Sequence, residues 1–208
     1  MLFRSIPTVD DILHMRTKTT GIIENKFQYT DDDGTTHDGM LIDVGGQRGE
    51  RRKWIHCFDN LDVMIYCASL IDYDLKLTEN KDRNRLEESI TVFAGLMDSP
   101  WIDTIGTKIL FLNKTDLFRE KIIKYPLSEH LPNDYRSRLD IPKENTYEAS
   151  SEFIKKLYLE KIPSPICGSR GIEIFCHFTC AIDRENIKYI HSVVFQEIFM
   201  KNLEAIGI

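Results

Sequence analysis

Three short apolar runs constrain this chain more than any other feature: Val63 to Ala68, Ile109 to Leu112 and Ile174 to Phe178. Each is strand-length and none alternates cleanly, which suits strands buried on both faces of a parallel sheet. Parallel strands need long crossovers, and helical patterns fill the gaps. Arg85 to Met97 carries Leu86, Ile90, Phe93, Ala94 and Met97 at helical spacing, and Tyr147 to Leu159 reads as a second helix. Asp183 to Glu204 reads as the longest, with Ile187, Ile190, Val194 and Ile198 as its apolar stripe and Asp183 as its N-cap. Ahead of them Ile22 to Tyr29 alternates, with Ile23, Phe27 and Tyr29 on one face and Glu24, Lys26 and Gln28 on the other. A turn at Asp31-Asp32-Asp33-Gly34 and a return strand over Met40 to Val44 predict a half-exposed hairpin. Three prolines between Lys124 and Asn145 predict an irregular surface loop. No repeat, low-complexity tract or linker divides the chain, so the expectation is one α/β domain with mostly parallel strands. Its ligand crevice then lies at the carboxyl ends of the strands.

Composition narrows the chemistry. The net charge is −6, with Lys and Arg interspersed among acids, which weighs against nucleic acid as a partner. No run of apolar residues is long enough to span a bilayer. Met1-Leu2-Phe3-Arg4 has no signal-peptide pattern, and Leu2 stands where N-myristoylation needs glycine. Five cysteines (Cys57, Cys67, Cys167, Cys176, Cys180) without CxxC spacing fit neither a zinc site nor a disulfide framework, so reduced cytoplasmic thiols are expected.

The strand ends carry the chemistry. Asp43-Val44-Gly45-Gly46-Gln47 follows the hairpin's second strand. A carboxylate there suits Mg²⁺ held through water, the glycine pair lets backbone approach a phosphate, and a glutamine can hold a water by donor and acceptor together. Alone, the same pattern is an ordinary strand-to-turn signal. Asn113-Lys114-Thr115-Asp116 follows the Ile109 run. Its carboxylate can accept from a guanine ring N–H and exocyclic amine, its asparagine can bond the far edge, and its lysine stem can lie on the ring. The bland alternative is a helix N-cap at Thr115 or Asp116. Thr179-Cys180-Ala181-Ile182-Asp183 offers backbone N–H groups beside small residues, or merely a helix start. Arg16-Thr17-Lys18-Thr19-Thr20-Gly21 offers a guanidinium for phosphoryl charge and a hydroxyl for Mg²⁺, or merely a basic loop.

Taken in order, these pieces resemble the heterotrimeric G-protein alpha subunits from Pro7-Thr8 through the last helix. Gln47-Arg48-Gly49-Glu50-Arg51-Arg52-Lys53-Trp54-Ile55-His56-Cys57-Phe58 is similar to that family's second switch. Tyr73-Asp74 with Asn84-Arg85-Leu86-Glu87-Glu88-Ser89 is similar to its third. The resemblance implies an α/β, Ras-like P-loop GTPase domain: residues 1–15 end a connection from a helical domain, and 16–208 form a partial GTPase domain. It implies GTP/GDP and Mg²⁺ as ligands. Leu13, His14, Met15, Arg16, Thr17, Lys18 and Thr19 would run beside ribose and phosphates, with Arg16 as an internal arginine finger and Thr19 a metal ligand. Asp43 would hold the metal through water, and Val44, Gly45, Gly46 and Gln47 would bind the nucleotide, the Gly46 amide sensing the γ-phosphate and Gln47 orienting the attacking water. Asn113, Lys114, Thr115, Asp116 and Ala181 would read guanine. Arg52, Lys53, Trp54 and Cys57 would meet a beta-gamma dimer, and the last helix with Asn202 to Ile208 a G protein-coupled receptor; effectors follow, as does a place at the cytoplasmic face of the plasma membrane. Ala205 stands fourth from the end, where some members carry an ADP-ribosylated cysteine.

No Gly-x-x-x-x-Gly-Lys-Ser/Thr loop occurs in the 208 residues. In the family that loop lies upstream with the first strand and first helix, and the strand sits centrally. The expectation is therefore a weakened fold that handles nucleotide poorly by itself. Three functional classes follow: a signalling GTPase seen in part, a nucleotide-incompetent module binding beta-gamma, receptor or effector, or a non-functional remnant.

Overall fold

The computed structural model describes residues 6–15, 17–30, 34–58, 61–162 and 172–206, without the side chains of residues 10 and 199–206. The chain forms two compact units, residues 1–61 and 62–208.

The first unit begins with α1 (Val9–His14), started by a capping box between Thr8 and Asp11. β1 (Ile22–Thr30) and β2 (Thr36–Val44) form an antiparallel pair from Ile22 opposite Val44 to Thr30 opposite Thr36. The expected hairpin is present, but it is more exposed than its alternation suggested: Ile23 and Phe27 are 45% and 44% exposed. Tyr29 finds a partner within the ladder, stacked on His37 at 5.0 Å. A 3₁₀ segment, Arg51–Cys57, follows.

In the second unit β3 (Val63–Ser69), β4 (Thr107–Asn113) and β5 (Phe175–Thr179) form a parallel sheet in the order β3-β4-β5. Ile109, Leu110 and Leu112 of the central strand are fully buried, as a non-alternating run requires. β3 departs from that expectation. It is a sheet edge, and Ile65 is 42% exposed with Cys67 exposed beside it. α2 (Arg85–Met97) and α6 (Tyr147–Leu159) have the predicted bounds, because Asn84 accepts from the Leu86 and Glu87 amides and Thr146 from the Ala149 amide. Tyr66 of β3, Phe93 of α2 and Tyr158 of α6 pack edge to face between sheet and helices.

α7 (Arg184–Ile206) seats Ile190 and Val194 on Ile109, flanked by Val63, Phe111, Phe175 and Ile198. Ile187, expected in this stripe, is 40% exposed. Asp183 caps the helix as predicted, accepting from the Glu185 and Asn186 amides. The segment expected to be an irregular loop contains two short helices after α3 (Thr115–Lys124): α4 (Leu127–His130) and α5 (Asn133–Arg136). Pro126 and Pro132 stand at their starts, where a missing N–H costs nothing, and Leu127 and Leu131 bury against the unit. Among the described residues no helix is long and apolar enough to cross a membrane.

Candidate functional site

In the first unit a set of hydrogen bonds ties the segment before β1 to the segment after β2. Thr19 Oγ1 donates to Asp43 Oδ2 at 3.2 Å, joining the two residues that sequence marked for a metal. The Gly45 amide donates to the Gly21 carbonyl at 3.3 Å, and the Gly21 amide to Glu50 Oε2 at 2.8 Å. Gly21 has φ +79°, a conformation natural for glycine, and Gly45 is buried so tightly that a Cβ would lie 2.8 Å from the Thr19 carbonyl oxygen. Trp54 Nε1 donates to the Gly45 carbonyl at 2.9 Å, and Arg51 Nε to the Gly46 carbonyl at 3.0 Å. Lys53 Nζ pairs with Glu50 at 2.6 Å. Hydrogen bonding from Lys53, then from the Gly21 amide, holds the Glu50 carboxyl below its usual range. Gln47 sits half-buried in the turn, its carbonyl accepting from the Glu50 and Arg51 amides. Leu13, His14, Met15, Thr17 and Lys18 are exposed; Arg16 lies outside the described residues.

In the second unit β4 and β5 end in register, Asn113 opposite Thr179. Asn113 Oδ1 accepts from the Ala181 amide at 3.1 Å across 68 residues of sequence. Lys114 then turns the chain into α3 with φ 69° and ψ 41°, the left-handed region that a side chain rarely occupies; among the described non-glycine residues it alone has positive φ. α3 has no side-chain cap, so neither Thr115 nor Asp116 acts as the N-cap that the bland alternative required. Burial, then the neighbouring Asp116 carboxylate, push the Cys180 thiol pKa up. Cys180 is held through its own amide, which donates to Asn186 Oδ1 at 2.8 Å. Two strand tips and one helix start thus present a carboxylate, a carboxamide and an exposed Ala181 together.

A model of the G-protein alpha subunit family matches residues 4–198. The chain belongs to this family. Among curated proteins the guanine nucleotide-binding protein alpha-16 subunit of Caenorhabditis elegans is 40% identical over 203 residues, covering 98% of this chain and 53% of that protein. The guanine nucleotide-binding protein alpha-4 subunit of Caenorhabditis briggsae is 39% identical over 203 residues, covering 98% of this chain and 52% of that protein. The chain spans about half the length of the curated relatives it matches. The three-stranded parallel sheet and its flanking helices are the Ras-like α/β architecture that the family resemblance implied.

Within this alpha-subunit chain the structure thus assembles two groups of the sequence-marked residues, each in its own unit: Thr19 with Asp43, Gly45 and Gly46, and Asn113 with Lys114, Asp116 and Ala181. Sequence reading missed Glu50, which ties Gly21 to Lys53, and missed that Trp54 spends its indole N–H inside the unit. It also missed that Cys180 stands beside Asp116 and that Asn186 holds Cys180. Only the i,i+3 spacing of Glu50 and Lys53 carried a local signal for any of these.

Proposed function

We propose that this chain supplies the guanine-reading and switch elements of a GTP-hydrolysing signalling protein. The observation that carries this reading is the Asn113–Ala181 hydrogen bond beside Asp116 at paired strand tips. Asp116 then accepts from the guanine N1–H and N2–H₂ groups, a pair of donors that adenine does not offer. The Asn113 amide meets the N7 and O6 edge, and the Lys114 stem covers a ring face.

Thr19 and Asp43 fit a Mg²⁺ ion. Their oxygens stand 3.2 Å apart, within one hydration shell of a hard cation that keeps most of its water. Among the described residues there is no cluster of three His, Cys, Asp or Glu side chains, so protein-dominated ligation is not the mode supported. When bound, the ion would neutralise charge between the β- and γ-phosphates. Arg16 would balance charge on the transferred phosphoryl group, the Gly46 amide would sense it, and Gln47 would orient the attacking water. Arg52, Lys53, Trp54 and Cys57 would form the beta-gamma surface, and α7 with Asn202 to Ile208 the receptor contact. A second reading, a module that binds these partners without turning over GTP, draws on the Arg51–Cys57 segment being held by bonds to Gly45 and Gly46 within the chain.

Binding of fluorescent GDP and ADP, titrated to about 1 mM to reach weak affinities, tests the nucleotide reading. GDP is expected to bind and ADP is not. Asp116→Asn replaces one acceptor by a donor, so it should weaken GDP by about 10²-fold and favour xanthosine diphosphate, whose 2-oxo group accepts. Equal binding of GDP and ADP would overturn the reading.

A further inference from the structure

Ser69 ends β3 at the carboxyl edge of the parallel sheet, opposite Asn113 of β4, with Thr179 of β5 on the other side of Asn113. Opposed residues of in-register strands point to the same face, so Ser69 and Asn113 share one. Ser69 Oγ is buried and has no hydrogen-bond partner; among the described residues no other buried side-chain nitrogen or oxygen is in that condition. A hydroxyl can donate once and accept twice, and leaving it dry and unpaired is unfavourable, so such an atom asks for a partner. Asn113 supplies the complement. Its carbonyl oxygen is engaged by the Ala181 amide, while its Nδ2 donors have no partner among the described residues.

We propose that Ser69 is a positioning residue for the guanine-reading amide. With the purine seated, Ser69 Oγ accepts from one Nδ2–H of Asn113, which fixes the amide plane with Oδ1 on Ala181 and aims the other N–H at the N7 and O6 edge. Neighbouring strands stand about 4.8 Å apart, a gap that serine and asparagine side chains bridge by rotamer choice. A carboxamide anchored only through its oxygen can still swing about that bond; a second anchor removes the freedom. This inference rests on the guanine reading above. A space-filling role for Ser69 would instead make the hydroxyl irrelevant to nucleotide.

The test uses the full 208-residue chain with Ser69→Ala and Ser69→Thr, GDP and 7-deaza-GDP, which lacks the N7 acceptor. Ser69→Ala should weaken GDP about three- to tenfold and weaken 7-deaza-GDP much less, because that analogue has already lost an Asn113 contact. Ser69→Thr, which keeps the hydroxyl, should retain GDP affinity. The melting temperature of the nucleotide-free Ser69→Ala chain should hold or rise, since an unpaired hydroxyl is removed. Unchanged GDP affinity in Ser69→Ala, equal losses for both analogues, or a lowered melting temperature would each overturn the positioning role. Failure of the unsubstituted chain to discriminate GDP from ADP would overturn the guanine reading and this role with it.

Discussion

The two compact units hold themselves together by different means. In residues 62–208 the central strand buries Ile109, Leu110 and Leu112 completely, and helices close over the sheet with Phe93, Tyr158, Ile190 and Val194. In residues 1–61 the hairpin leaves Ile22, Ile23 and Phe27 about 40% exposed, and order around its end comes from polar bonds: Thr19 to Asp43, Gly21 to Glu50, Trp54 to Gly45, Arg51 to Gly46. An apolar core gains from every contact at once and yields only by unfolding. Individual hydrogen bonds contribute about 0.5–1.5 kcal/mol net each, so a clasp made of them opens and closes for a small change in charge nearby. Under the proposed function the guanine-reading residues would rest on the first kind of support and the switch residues on the second.

The largest expected effect falls on the core. Ile109→Ala should cost the second unit about 2–5 kcal/mol in denaturant unfolding, whereas Phe27→Ala in the hairpin should stay under about 1 kcal/mol. Comparable losses at the two positions would erase the contrast. Next comes Gly45→Ala. Its Cβ would meet the Thr19 carbonyl oxygen and the Glu50 side chain, both at 2.8 Å, and relief means opening the clasp. A local loss of about 1–3 kcal/mol is expected, read as a change in Trp54 fluorescence in a Trp101→Phe background, with the unfolding of the second unit unmoved.

The smallest effect is on acidification. Because the folded Glu50 carboxyl is held below its ordinary value of 4.5, its contribution is fully present above that value and fades as pH falls through the depressed one. Trp54 fluorescence in the same background should therefore report loosening only at acid pH below the ordinary glutamate range. Glu50→Gln should show altered emission already at neutral pH and lose that acid step. An acid step retained in Glu50→Gln would assign the loosening to another carboxylate.

Much of the scaffold was legible before any coordinates. α2 and α6 fell on their predicted bounds because apolar spacing and a capping Asn84 or Thr146 agree locally. β3 was legible as a strand, yet its burial was not, since a strand's own residues do not say whether it lies at an edge. The two short helices of residues 127–136 were hidden by their prolines, which break a helix inside but suit its first turn. At the candidate site the short motifs stood out because each lies within a few consecutive residues. Their surroundings did not, because Cys180, which stands beside Asp116, is far from it in the chain.

By itself the sequence determined that this chain makes strands with chemically loaded tips and belongs among the G-protein alpha subunits, because periodicity and contiguous motifs are local properties. Only the tertiary structure decided that Asn113 grips the Ala181 amide, that Cys180 stands beside Asp116, and that Ser69 Oγ is left unpaired beside Asn113. Those outcomes follow from strand register, which places residues tens of positions apart side by side and sets which polar atoms can find each other.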